Sequence, residues 1–233
     1  MIDFNPSQIT FENVDRFFIK KSIFQFISEK SNSFSGNLID VGCGQMPYRE
    51  FITQNSLIET YTGIDLIGGN EYHSEISPDL LWDGITFPIQ DESYNSALAT
   101  EVLEHCPDPQ VTLKEIFRIL KPGSPIVLTV PFIWPTHESP HDYYRYTPFG
   151  LRYQLEEAGF EDVRISCLGG WDASLAQVLG LWIKRRKMSM SNQKRLFVLI
   201  KPFIQFLLRK DRILESNKEQ NLFTNLGAMA WKK

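Results

Sequence analysis

Cysteine is scarce in this chain of 233 residues: Cys43, Cys106 and Cys167 are its only three. Their odd number and wide spacing exclude a disulfide scaffold and a cysteine-built metal site, and fit reduced thiols in a reducing, cytoplasmic compartment. The start Met1-Ile2-Asp3-Phe4-Asn5-Pro6 has neither a basic region nor an apolar run, so no secretory signal is expected there. No repeat with a period of about 20 to 50 residues is visible, which excludes a solenoid. A large charge of one sign is also missing: the net value is −4, with 22% charged and 42% hydrophobic residues. Those shares are ordinary for a folded domain and argue against disorder and against a membrane protein.

What the chain does have is Leu38-Ile39-Asp40-Val41-Gly42-Cys43-Gly44-Gln45-Met46-Pro47-Tyr48, an apolar strand running into an acid and two spaced glycines. Such a turn brings backbone N–H groups against a ligand where no Cβ blocks the approach. Alone, the pattern fits a plain tight turn equally well. A carboxylate at Asp40 would repel a pyrophosphate and attract the ammonium and sulfonium of S-adenosylmethionine. Pro47 stands where the dinucleotide fingerprint has its third glycine, so a nicotinamide-dependent oxidoreductase is the weaker reading.

Further along come Tyr61-Thr62-Gly63-Ile64-Asp65, then Leu80-Leu81-Trp82-Asp83-Gly84-Ile85, Glu101-Val102-Leu103-Glu104-His105 and Leu120-Lys121-Pro122-Gly123 before the apolar run Ile126–Val130. With this ordered series, residues 37 to 168 resemble the class I S-adenosylmethionine-dependent methyltransferases, in the group related to the ubiquinone and menaquinone methylases. The resemblance implies S-adenosylmethionine as cofactor. It places Asp40, Gly42 and Gly44 along the methionine part, Asp65 on the ribose hydroxyls and Asp83 on the adenine amino group. Gly84 and Ile85 would lie beside the ring, and Glu101 would begin the segment under the sulfonium. The family often has a glycine where Met46 stands, so this loop is bulkier. Taken singly, Asp65 and Asp83 also read as ordinary strand-end capping carboxylates.

Strands are expected near 38–41, 61–65, 80–83, 96–100, 126–130 and 163–167, alternating with helices near 45–54, 109–119 and 148–158. The alternation argues for an α/β, doubly wound, mostly parallel sheet with right-handed crossovers. The resemblance adds a seventh, antiparallel strand at the end of the Rossmann-like sheet, at Asn225–Lys232. Apolar spacing predicts a helix over Val14–Glu29 lying across the core. The expected organisation is an N-terminal helical segment (1–36), a cofactor-binding core (37–170), a helical basic and apolar insertion (171–220) and a closing strand (221–233).

The loop after the fifth strand, Pro131 to Tyr146, leaves the edge of the sheet where ligands bind and is the expected acceptor pocket. Its aromatics can wall an apolar site, and His137, Asp142 and Tyr143 are the candidate proton acceptors. A packed lid is the competing account. Residues 137–141 also spell H-E-x-x-H, a zinc pattern that requires both histidines on one helical face. Pro140 inside it and Pro135 before it oppose a helix, so no metal is expected. His105 is placed near the site without a role.

From Lys184 to Arg212 the chain carries ten basic residues and one acid, Asp211, and contains the short apolar run Leu196–Leu208, broken by Lys201 and Pro202. The run is too short to cross a bilayer of roughly 30 Å. It reads either as a helical cap or homodimer contact, or as a peripheral membrane anchor. Nucleic acid is not an expected partner, because phosphate-reading motifs are missing. The function expected from all this is methyl transfer to a small-molecule, lipid-linked or glycan-precursor acceptor. A catalytically inactive, cofactor-binding regulatory or assembly protein is the alternative.

Overall fold

The apolar runs recognised in the sequence lie side by side in one sheet. The computed structural model describes residues 4–68, 76–213, 215 and 219–233. Its strands are β1 (Ser35–Val41), β2 (Leu57–Leu66), β3 (Leu80–Trp82), β4 (Ser96–Thr100), β5 (Pro125–Pro131), β6 (Glu161–Leu168) and β7 (Asn225–Trp231). They pair in the order β3-β2-β1-β4-β5-β7-β6. The pairs β1–β2, β1–β4, β2–β3 and β4–β5 are parallel, and β7 runs antiparallel to both β5 and β6. The chain moves outward from β1 to β3 and then returns to β4 beside β1. That reversal opens a crevice beyond the carboxyl ends of β1 and β4, where ligands bind in such sheets.

Alternating side chains split the core into two layers. Ile39, Ala97, Ala99, Ile126, Leu128 and Val130 face Leu113 and Ile116 of α3 (Pro109–Ile119) and Leu151 and Leu155 of α4 (Pro148–Glu157). On the other side, Leu38, Leu98, Val127 and Met229 meet Ile23, Phe26 and Ile27 of α1 (Phe17–Lys30). The Phe26 ring sits so close that a Cβ on Gly227 would fall 2.6 Å from it, so this crossing of α1 over the sheet needs glycine. Asp108 and Thr147 cap α3 and α4 by accepting from Gln110 and Gly150 N–H, each followed by a first-turn proline.

Several boundaries differ from expectation. α2 runs from Arg49 to Asn55 rather than from residue 45, because Gly44 and Met46 hold φ of 51° and 49°. Neither value continues a right-handed helix. α1 begins at Phe17, and β2 begins at Leu57, four residues before the run the pattern marked. The insertion between β6 and β7 contains α5 (Trp171–Arg185) and α6 (Met190–Lys210). The helix α6 continues through Pro202. No helix among the described residues is long and apolar enough to cross a membrane. Residues 1–3, 69–75, 214 and 216–218 of the expected segments lie outside the described residues.

Candidate active site

The loop after β1 is fixed from the neighbouring strand. Gly42 and Cys43 N–H donate to the Ile64 carbonyl at 2.9 and 3.2 Å. Gly44 N–H donates to Asp65 Oδ2 at 2.9 Å, while Leu66 N–H donates to Asp65 Oδ1 at 2.7 Å. Gly42 has φ of 64°, and a Cβ there would come 2.5 Å from Val102 Cγ2, so both conformation and space demand glycine. Met46 adopts the left-handed conformation that glycine favours, but its side chain is buried in the core beside Gly63. The bulk that distinguishes this loop therefore lies inside the protein.

Asp40, at the end of β1, is 1% exposed. Tyr61 O–H donates to its Oδ2 at 2.6 Å, whereas Oδ1 has no hydrogen-bond partner in the protein. Burial pushes its carboxyl up to about 7. Asp83, after β3, is exposed and accepts from Ile85 and Thr86 N–H at 2.9 and 3.0 Å, bonds that hold it below the usual carboxylate range. It thus closes its own turn, with Gly84 at φ of 86° and the Ile85 side chain exposed.

Glu101, after β4, has φ of 56°, a strained conformation for a non-glycine residue. Its N–H donates to the Thr129 carbonyl at 3.0 Å. Its carboxylate accepts from Thr129 Oγ1 at 2.8 Å and from Asn225 Nδ2 at 3.0 and 3.1 Å. Burial pushes this acid to about 7 as well. Glu104 is fully buried with neither carboxylate oxygen hydrogen-bonded. Burial, then the charge of Glu101, raises it well above the usual range.

The 131–146 loop folds over these acids. Tyr143 N–H donates to the Glu104 carbonyl at 2.8 Å, tying the loop to the turn after β4. His137 Nδ1 lies 3.3 Å from Asp142 Oδ2, and His137 N–H donates to the same oxygen at 3.0 Å. Arg145 grips Asp142 with both Nη atoms, at 2.6 and 2.9 Å. This fork holds the Asp142 carboxyl well below its ordinary range, which sets an anion beside His137. Burial and the neighbouring His105 lower His137 from 6.5, which keeps its ring neutral. Tyr143 stands apart from this chain: its hydroxyl pairs with His141 Nδ1 at 3.1 Å and the residue is 44% exposed.

The H-E-x-x-H stretch is not helical. A different trio converges: Glu104, His105 and His137 bring one ligand atom each within 4.8 Å of one another, a set able to hold a cation. Arg145, Tyr61 and Asn225 bond to candidate residues and Glu104 lies among them, and none of the four has a role in the sequence analysis. The three-residue spacing of Asp142 and Arg145 was the available signal for one of them.

The unpartnered Oδ1 of buried Asp40 suits a cofactor that presents a cation to the end of β1. Residues 11–165 match the family of methyltransferase domains. The chain belongs to that family. It is a methyltransferase, and S-adenosylmethionine is its methyl donor. A ubiquinone biosynthesis O-methyltransferase of Pseudomonas fluorescens is 27% identical over 179 residues, covering 68% of this chain and 70% of the relative. An S-adenosylmethionine-dependent methyltransferase of Thermotoga maritima shares the fold at a TM-score of 0.58 and 15% identity, over 94% of this chain and 91% of that one. The phosphoethanolamine N-methyltransferase 2 of Haemonchus contortus, solved with S-adenosylmethionine, superposes at a TM-score of 0.54 and 13% identity. That match covers 97% of this chain, which spans 60% of the Haemonchus one.

Asp65→Ala tests the ribose assignment. Loss of a charge-assisted contact worth about 1.5–3 kcal/mol lowers cofactor affinity roughly tenfold or more by calorimetry. An unchanged affinity would leave Asp65 a structural role, holding the loop through Gly44 and Leu66.

Proposed function

We propose that this methyltransferase acts on a hydroxyl oxygen of a small or lipid-linked acceptor held under the 131–146 loop, with His137 taking the acceptor's proton. The reading rests on the Arg145–Asp142–His137 chain, which sets an ionised carboxylate against Nδ1 of a neutral imidazole. With the proton on Nδ1, the Nε2 lone pair is the basic site, and Asp142 stabilises the imidazolium that forms. The name of the Pseudomonas relatives, O-methyltransferases, supports an oxygen acceptor.

On this proposal Asp40 meets the cofactor's ammonium, Asp65 its ribose hydroxyls and Asp83 the adenine amino group. Gly84 and Ile85 flank the ring, the turn of Gly42 and Gly44 lies along the methionine part, and Glu101 lies beneath the sulfonium. Bound S-adenosylmethionine supplies a methyl group on a cationic sulfur that is already a good leaving group. The chain's own work is then to align the acceptor, exclude water and remove one proton. None of these tasks needs a Lewis acid, so turnover survives treatment with a chelator. Loss of activity restored by a divalent cation would assign Glu104, His105 and His137 to metal instead.

The deciding experiment supplies labelled S-adenosylmethionine with phenol, catechol and amine acceptors. Label enters the hydroxyl compounds. Label in amines alone would overturn the oxygen assignment, and cofactor binding without any transfer would favour the inactive regulatory protein. The pH profile adds a check. Because His137 must be neutral, kcat falls as pH drops through a value below 6.5, the ordinary histidine figure. An acid limb above neutrality would exclude His137 as the base.

A further inference from the structure

We infer that α5 and α6 together form a face that docks on an anionic lipid bilayer. Between Asp172 and Asp211 there is no acidic residue, while Lys184, Arg185, Arg186, Lys187, Lys194, Arg195, Lys201, Arg209 and Lys210 supply nine positive charges. This concentration stands in a chain whose net charge is −4.

The two helices also carry apolar side chains on opposite sides. Inward, Ala176 and Ile183 of α5 and Ile204 and Leu207 of α6 join one buried cluster with Val14 and Phe17. Outward, α6 exposes Leu199 (74%), Phe203 (49%) and Phe206 (48%), at the i, i+4, i+7 spacing of one helical face. Arg195 and Lys210 fall at the two ends of that stripe, and both are exposed. On α5, Trp171, Leu175, Val178 and Trp182 are exposed at the same kind of spacing. Between the helices, Arg186, Met188, Asn192, Arg195 and Leu196 line a shallow depression in which two guanidinium groups can meet a headgroup phosphate.

Charge decides the occupant. Arg185 is held by buried Asp15 at 2.8 Å; a second copy would press the other eight positive charges, with no acid between them in the sequence, against their own image, which like-charge repulsion opposes. A nucleic acid would satisfy the charges but leave the leucine and phenylalanine stripe in water. An anionic bilayer satisfies both, with aromatic and aliphatic groups in the interface and basic groups at the phosphates.

The placement suits the active site. Because β7 is antiparallel to both neighbours, β6 runs parallel to β5. α5 therefore begins at the sheet edge where the acceptor loop leaves β5. At its far end the Arg185 guanidinium lies 5.6 Å from the Trp134 ring of that loop.

The test is co-sedimentation of the full chain with phosphatidylcholine vesicles, with and without phosphatidylglycerol. Binding to the anionic vesicles at low salt, lost at 1 M salt and weak on neutral vesicles, is expected. Arg195→Gln, Lys201→Gln and Lys210→Gln together lower partitioning on the order of a hundredfold. Leu199→Glu, Phe203→Glu and Phe206→Glu together abolish it while turnover of a soluble acceptor is unchanged. If that triple variant fails to fold, quenching of wild-type tryptophan fluorescence by brominated anionic lipid provides the reading. Absence of vesicle binding at low salt overturns the proposal, as does equal binding to neutral vesicles. A dimer that the triple glutamate variant breaks, without vesicle binding, would give the face to a second copy.

Discussion

Asp40→Asn should weaken S-adenosylmethionine binding about a hundredfold or more while raising the melting temperature of the ligand-free protein at pH 8. Two opposite effects come from one buried carboxylate. In the ligand-free fold, Tyr61 is the hydrogen-bond partner of Oδ2, and Oδ1 has none in the protein. Burial lifts the carboxyl from 3.8 to about 7. A raised acid binds its proton more tightly when folded than when unfolded. Its stability contribution is therefore complete at low pH and is lost as pH rises from about 4 through about 7. Asparagine has no such loss. It keeps an acceptor for Tyr61 but leaves an amide donor unpaired, so the net gain at pH 8 is about 1–3 kcal/mol.

With the cofactor present the balance reverses, because truncating one member of a buried ion pair costs about 3–5 kcal/mol. Calorimetry for affinity, with thermal melts at pH 5 and pH 8, separates the two effects. Equal loss of binding and of stability would make Asp40 a structural acid. Unchanged binding would remove it from the cofactor site.

How far the sequence could reveal this site depends on the range of the contacts. The ends of β1 and β4 were legible because each is a short apolar run stopping at a glycine or an acid. The ends of α3 and α4 were legible because Asp108-Pro109 and Thr147-Pro148 carry a capping side chain and a fixed φ in adjacent residues. Nothing local announces that Tyr61 will reach Asp40 or that Asn225 will reach Glu101. The first pairing comes from the parallel register of β1 and β2, and the second from β7, at the far end of the chain, pairing with β5.

Glu104 stands in the Glu101–His105 stretch with no local sign that it is buried. Its burial follows from the short helical turn Leu103–His105, tied to the 131–146 loop by the Tyr143 N–H, a tertiary fact. The apolar run of α6 seemed interrupted at Pro202 because proline removes a helical donor. Pro202 is exposed, and the inward residues Ile204 and Leu207 anchor the helix beyond it. Apolar residues on both sides of α5 and α6 also hid the ordinary one-sided pattern.

His137→Ala should lower kcat by about 10²–10⁴-fold, the usual range for a positioned base, with cofactor affinity changed less than about threefold. The expectation rests on the order of contacts: Arg145 fixes Asp142, Asp142 faces His137 Nδ1, and the ring stays neutral because burial and His105 lower its proton affinity. Asp142→Asn tests positioning rather than proton removal. It keeps the shape but loses the anion that stabilises the imidazolium, so kcat falls while a pH limb belonging to His137 remains, moved to lower pH. His137→Ala abolishes that limb. Tyr143→Phe removes a hydroxyl bonded to His141 on the exposed side, so its effect on turnover is far smaller. Arg145→Gln leaves Asp142, whose side chain is 4% exposed, without its bidentate partner and lowers stability as well as kcat. The decisive comparison is affinity against turnover. If His137→Ala weakens cofactor binding as much as it slows the reaction, the 131–146 loop is a structural lid and the proton acceptor lies elsewhere.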